Sequence, residues 1–383
     1  MKTHEIMLSL IKSYLLEEKF DEKTKSEIKE SDKEMLLELS KKHYVLPVVS
    51  ESLYNNGIIE KNEESEFQKS LFSALKQYQL QSRDVFVISA VFEKAKIPHI
   101  FLKGIRSRVF WKDAYLRLAS DIDVLVQKDD IKRASEALIM SGFSMHEKTE
   151  KDISFFSKSG TFIELHFSVA ESGISDSANE ILDSVWDWAK PENDSFTYIL
   201  SEEMFYFHHI AHMAKHFEEG GCGIRPFIDL CILNKNVSYN ETEKKELLKK
   251  GGLSKFEECA KELVCCWFGD MEKTPFLKTI ESYILLGGAF GTMENTVKLQ
   301  KQKKGGERYI LEKIFLPYDV IKYQYPVLQK AKYLTPLFEV VRWFKLIFFG
   351  GMGRSLKEFQ HNASVNEKSV NSAEEMLTRL GLK

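Results

Sequence analysis

The chain of 383 residues is 43% hydrophobic and 29% charged, with a net charge of −3. That is enough apolar material for a packed core, and more chain than one domain of about 100–200 residues requires, so two or three units are expected. Proteins that grip long nucleic acid carry a broad basic excess, because each phosphate contact takes a Lys or Arg; none is present here, so a small partner is expected and extended nucleic acid is not.

Residues 1–95 read as a helical region. Apolar residues recur at three and four positions: Ile6, Leu10, Ile11 and Leu15, then Leu71, Leu75 and Tyr78, then Val85, Ile88, Val91 and Phe92. Pro47 and the Asn55-Asn56-Gly57 turn divide the region into several helices. The first 20 residues are amphipathic and dotted with charge, so no secretory leader is expected.

The period changes in residues 96–170. Pro98–Leu102 reads as a short strand leaving into Lys103-Gly104, and Asp121–Gln127 alternates cleanly. Asp129-Asp130 caps a helix that runs to Met140 and stops at Ser141-Gly142. Gly142–Met145, Ile153–Ser157 and Thr161–Val169 read as strands, the last two joined in a hairpin by Ser159-Gly160. The fold class expected is therefore α+β: a small core with a mixed or antiparallel sheet, flanked by helical regions.

Helical periodicity returns over 171–297, with helices expected at 177–189, 201–218, 225–235, 240–250, 254–268 and 275–290. Residues 298–307 (KLQKQKKGGE) read as a solvated linker, and 305–383 as a final helical region punctuated by Pro317, Pro326 and Pro336. Its most apolar run, Trp343–Gly350, is far short of the ~20 residues that cross a bilayer, so no transmembrane segment is expected. The five cysteines are odd in number and contain no CxxC, which points to reduced thiols and a cytoplasmic location. Cys265-Cys266, in an apolar helix, are expected to be buried.

The chemistry concentrates in Phe101–Val126. On a strand, Asp121 and Asp123 project from one face while Ile122, Val124 and Val126 project from the other. Two adjacent carboxylates repel unless compensated, and a divalent cation is the common compensation. Glu164 and His166 repeat the pattern on a later strand, so neighbouring strands would bring three carboxylates together. Lys103, Arg106, Arg108, Lys112 and Arg117 supply positive charge just before the acids. Lys103-Gly104 stands at a strand-to-helix turn, where glycine lets a ligand approach and a helix start offers N–H groups to phosphate. Arg117 is placed to reach phosphate or to brace the acids.

Residues 205–216 (FYFHHIAHMAKH) carry His209, His212 and His216 on one helical stripe. Two readings stand. The stripe holds a transition metal in a metal-dependent hydrolase, although no HExxH is present. Alternatively, His212, Lys215 and His216 line a cleft opposite the acids and contact nucleotide or acceptor. Asp229 either fixes the tautomer of a histidine or pairs with Arg225 on its own helix.

The stretch Leu102-Lys103-Gly104, Arg117, Asp121–Val126, the helix ending in Ser141-Gly142-Phe143, and Ile163–Val169 resembles the nucleotidyltransferases of the DNA-polymerase-β-like superfamily. More narrowly it resembles a bacterial family that continues with a histidine helix, here His212–His216, and an Arg/Asp segment, here Arg225–Asp229. The resemblance implies Mg²⁺ or Mn²⁺, an NTP donor, Asp121 and Asp123 as paired metal acids and Glu164 as the third. On that reading Lys103, Gly104, Arg106 and Arg117, with His166, His212, Lys215 and His216, contact the nucleotide or an acceptor the sequence does not identify. The superfamily places Gly-Ser or Gly-Gly after its first strand, whereas this chain has Lys103-Gly104. That difference keeps open a non-catalytic nucleotide- or protein-binding module on the same fold.

Overall fold

In the computed structural model, which describes residues 1–60, 65–149, 151–171, 173–289, 315–316, 318, 321–322, 325–349 and 374–382, the alternating segment Asp121–Val126 forms β2 of a five-stranded mixed sheet. The other strands are β1 (His99–Phe101), β3 (Ser144–Lys148), β4 (Asp152–Phe156) and β5 (Phe162–His166), in the order β1-β2-β5-β4-β3. β2 runs antiparallel to β1 and parallel to β5; β5–β4 and β4–β3 are antiparallel. The turn between β4 and β5 holds Gly160 at φ 84°, a conformation that side chains with a Cβ rarely adopt.

One face of this sheet is apolar. Ile122, Val124 and Val126 of β2, Ile163 and Leu165 of β5, and Phe155 of β4 are almost fully buried against Ile88 and Phe92 of α5 (Glu66–Ala95) and Ala134 and Leu138 of α7 (Ile131–Met140). Each such side chain contributes about 1.5–3 kcal/mol by leaving water. Because the side-chain period of a strand is two, this burial commits Asp121, Asp123 and Glu164 to the opposite face.

That opposite face meets helices. The N-terminal ones are α1 (Thr3–Leu16), α2 (Glu22–Lys29), α3 (Lys33–Lys42) and α4 (Leu46–Asn55). Asp21 and Asp32 cap α2 and α3 through their side chains, and Pro47 sits in the first turn of α4. After the sheet come α8 (Asp176–Asp183), α9 (Glu202–Glu219), α10 (Arg225–Asn236), α11 (Glu241–Lys250), α12 (Ser254–Phe268) and α13 (Pro275–Gly287). A second buried cluster joins Ile6, Met7 and Leu10 of α1 to Phe205 of α9, Phe227 of α10 and Trp267 of α12. α9 lies within it and faces the acidic side of the sheet.

Some expectations are corrected. The helix expected to reach 189 ends at Asp183; a tight turn follows, then a small hairpin of β6 (Ala189–Pro191) and β7 (Tyr198–Leu200). Asn193 and Asp194, both at positive φ, turn the hairpin, and the backbone N–H of His99 donates to Phe196 beside β1. Cys265 is exposed and Cys266 partly so. The buried stripe of α12 is Phe256, Ala260, Leu263, Val264 and Trp267, which leaves Cys265 on the outer side. The expected linker at 298–307 lies outside the described residues. Among the described residues no helix is long and apolar enough to cross a membrane.

Candidate active site

Parallel pairing of β2 with β5 sets Glu164 beside Asp123 and His166 beside Leu125. Asp123 Oδ1 accepts from Lys103 Nζ at 2.8 Å and from His166 Nε2 at 2.8 Å. The same His166 nitrogen lies 3.3 Å from Glu164 Oε2. Asp123, Glu164 and His166 each offer one ligand atom within 4.8 Å of the others. Asp121 stands outside that tight group, yet it lines the same cavity of about 250 Å³ as Asp123, Glu164 and Lys103.

The electrostatics follow from burial and from these contacts. Burial alone would raise the Asp123 carboxyl, but the Lys103 ammonium and His166 hold it well below the ordinary carboxylate range. Asp121 is pushed up to about 6 by burial and by the charge of Asp123, against the pull of Lys103. For His166, burial opposes protonation, but its bonds to Asp123 and Glu164 prevail and hold it up to about 9. At neutral pH it is therefore an imidazolium. A protonated histidine and an ammonium thus stand on carboxylates that a bound cation would otherwise neutralise. The cluster is rich in hard oxygen donors, and the cost of charging Asp121 is one that a nearby cation relieves. These residues fit a divalent metal ion.

Lys103 reaches Asp123 from a strained backbone, with φ at 43°. For a non-glycine residue this costs about 1–2 kcal/mol, and such strain concentrates at functional sites. The helix it opens, α6 (Lys103–Ser107), has only five residues. Gly104 is required by a protein neighbour: a Cβ there would meet Arg117 Nη1 at 2.7 Å and Ala119 Cβ at 2.9 Å. Arg117 is held by Asp229, with Nη2 to Oδ2 at 2.8 Å and Nε to Oδ1 at 3.3 Å, and Trp111 Nε1 also donates to that carboxylate at 2.8 Å. The loop carrying it is tied to α5, where Gln77 and Gln81 both donate to the Ala119 carbonyl. Arg106 pairs with Glu202 at 2.7 Å and stacks over Phe110, and it does not line the cavity.

The wall opposite the acids comes from α9. His212 Nδ1 donates to Glu171 Oε1 at 2.8 Å, and Lys215 pairs with Glu171 Oε2 at 2.9 Å. The Nε2 atoms of His212 and His216 are 3.0 Å apart. With the His212 proton on Nδ1, that contact needs His216 to donate. Burial holds His212 well below its ordinary pKa and His216 down to about 4, so both are neutral at pH 7. His209 lines the cavity too, but its Nε2 bonds the Pro226 carbonyl at 3.0 Å. Asp123, Glu164 and His166 are the one group of three metal-ligating side chains among the described residues, so α9 supplies no such group for a hydrolase metal.

Glu171 was not singled out from the sequence; it takes the histidine-orienting role considered for Asp229, across 41 positions of chain. The expected pairing of Arg225 with Asp229 is corrected: Arg117 takes that carboxylate, and Arg225 lines the cavity without an acid from its own helix. No curated protein matches the chain. The family described as uncharacterised nucleotidyltransferase matches residues 29–269, and the chain belongs to that family.

Proposed function

We propose that the protein transfers a nucleoside monophosphate from an NTP to an acceptor hydroxyl or phosphate, with Mg²⁺ or Mn²⁺ held by Asp121, Asp123 and Glu164. The observation that carries this reading is the meeting of three carboxylates from two paired strands in one cavity whose other wall is cationic and imidazole-lined. The metal, when bound, neutralises phosphate charge and activates the attacking oxygen.

The chain's own residues do the rest. Asp121 and Asp123 orient the donor side. Glu164, more accessible than Asp123, faces the acceptor and accepts its proton. Its position is fixed by the flanking Ile163 and Leu165, which are fully buried. Lys103 and His166 both bond Asp123; a metal held by that carboxylate would take over the neutralisation and would leave the Lys103 ammonium, which lines the cavity, to meet phosphate oxygens. His212, Lys215 and His216 line the far wall, opposite the acids. The partner on this reading is a small nucleotide, in keeping with the net charge of −3.

The test is Mg²⁺-dependent release of pyrophosphate from each NTP across a panel of sugar, peptide and alcohol acceptors. Asp121→Ala and Asp123→Ala are expected to lower kcat at least 100-fold, the scale of about 3 kcal/mol lost from the transition state. Turnover that survives both changes refutes the assignment. The Lys103–Asp123 ion pair favours a second reading, a nucleotide-binding module without turnover. Saturable NTP binding with no pyrophosphate from any acceptor would select it.

A further inference from the structure

Four cationic side chains line the cavity, and three have an acid. Lys103 pairs with Asp123, Arg117 with Asp229 and Lys215 with Glu171. Arg225 differs. Its Nη1 donates to the Leu118 carbonyl at 2.9 Å and its guanidinium lies 5.6 Å from the Tyr44 ring centre. Its Nε is buried with no hydrogen-bond partner, and none of the ion pairs among the described residues includes it. Asp229, one turn along the same helix, would be the ordinary partner, but Arg117 and Trp111 occupy that carboxylate.

Asp229 and Asp121 act on this half-buried guanidinium through space, yet neither forms an ion pair with it, and a desolvated charge without a direct partner costs stability. Burial, with Arg117 close by, already holds its pKa down to about 10. Arg225 also opens the 12-residue helix α10, whose start has no side-chain cap and whose dipole is positive at that end. The side chain and the helix end both await an anion in the cavity that holds the metal acids.

We infer that Arg225, and not Arg117, grips the polyphosphate of the nucleotide and of the pyrophosphate product; this rests on the nucleotidyl-transfer reading above. The planar fork of the guanidinium matches two phosphate oxygens at once. Arg117 is the clamp beneath it: packed on Gly104 and locked to Asp229, it holds the loop that leads into β2. Of the two arginines, Arg117 has its donors engaged within the protein, and Arg225 is the one whose charge a ligand completes.

The experiment titrates inorganic tripolyphosphate, with and without Mg²⁺, into the full chain and into Arg225→Gln and Arg225→Lys, and melts each protein without ligand. Wild type is expected to bind. Arg225→Gln should weaken binding by about tenfold or more, the scale of one charge-assisted hydrogen bond. Arg225→Lys should recover part of it. The ligand-free Arg225→Gln protein should melt close to wild type or above it, because the change breaks no ion pair and removes a partly desolvated charge. Wild-type binding that Arg225→Gln leaves unchanged sinks the inference alone. Lost binding accompanied by a clear drop in melting temperature sinks it too, by making Arg225 a structural residue. A wild-type protein that neither binds tripolyphosphate nor releases pyrophosphate from any NTP overturns the inference and the reading beneath it together.

Discussion

Asp229 is a carboxylate with almost no exposure whose oxygens are filled by one guanidinium and one indole N–H. Breaking such a buried pair leaves the survivor charged and unpaired, which costs about 3–5 kcal/mol. Arg117→Met and Asp229→Leu are therefore each expected to lower unfolding free energy by that order in urea titrations. The double variant should lose less than the sum, because no charge is stranded in it. Additive losses would show that the two side chains do not act as a pair. Gly104→Ala probes the same clamp from below. Its methyl would press on Arg117 Nη1 and Ala119 Cβ, and the overpacking should cost about 1–3 kcal/mol.

At the scale of elements, the candidate site depends on strand register. Glu164 reaches Asp123 only because β5 pairs with β2 in one register, and a slip of one residue would turn Leu165 into the cavity and Glu164 into the core. The β4–β5 turn sets the register of β5 against β4, and Gly160 holds the turn at φ 84° with open space around it. Gly160→Val should destabilise by about 1–2 kcal/mol through backbone strain alone, and Gly160→Asn much less, because asparagine tolerates the left-handed region. Equal effects of the two in thermal melts would mean that strain is not what the glycine relieves. This hairpin and β2 were legible in the sequence because alternation is a local signal carried by six residues or fewer. The helices of 201–268 were legible because the three-and-four spacing of apolar residues is also a signal local to each element. The parallel β2–β5 pairing was not, since nothing local marks which strands become neighbours. Nor was the Arg117–Asp229 clamp, whose partners lie 112 positions apart, nor the Glu171–His212 bond. The acids could be named from their strands, whereas the cations' partners, which decide the cations' roles, emerge only when the helices close over the sheet.

At the scale of the whole molecule, the cluster joining α1, α9, α10 and α12 ties the N-terminal helices to the later ones, and His43 is a second tie. It caps the end of α3, has no exposed surface, and donates through Nε2 to the Leu285 carbonyl of α13 at 3.2 Å. Its Nδ1 is buried with no hydrogen-bond partner, so the ring is held neutral, and burial lowers its pKa to about 4. The sign of the linkage follows. With the folded value below the unfolded one of 6.5, the unfolded chain takes up the proton first as pH falls. Stability from this group is complete above about 6.5, declines toward pH 4, and levels off below it, with about 3 kcal/mol at stake. His208 and His216 are depressed in the same direction, whereas His166 and Asp121 are raised and act with the opposite sign, so the total slope cannot isolate one ring. A difference can. In His43→Gln the amide still donates to Leu285 but does not titrate. The stability gap between wild type and this variant, read from urea midpoints at pH 7.5 and at pH 4, should shift by about 3 kcal/mol in favour of the variant. Parallel pH profiles would show that His43 becomes protonated without opening the contact between α3 and α13, and that the tie does not depend on a neutral ring.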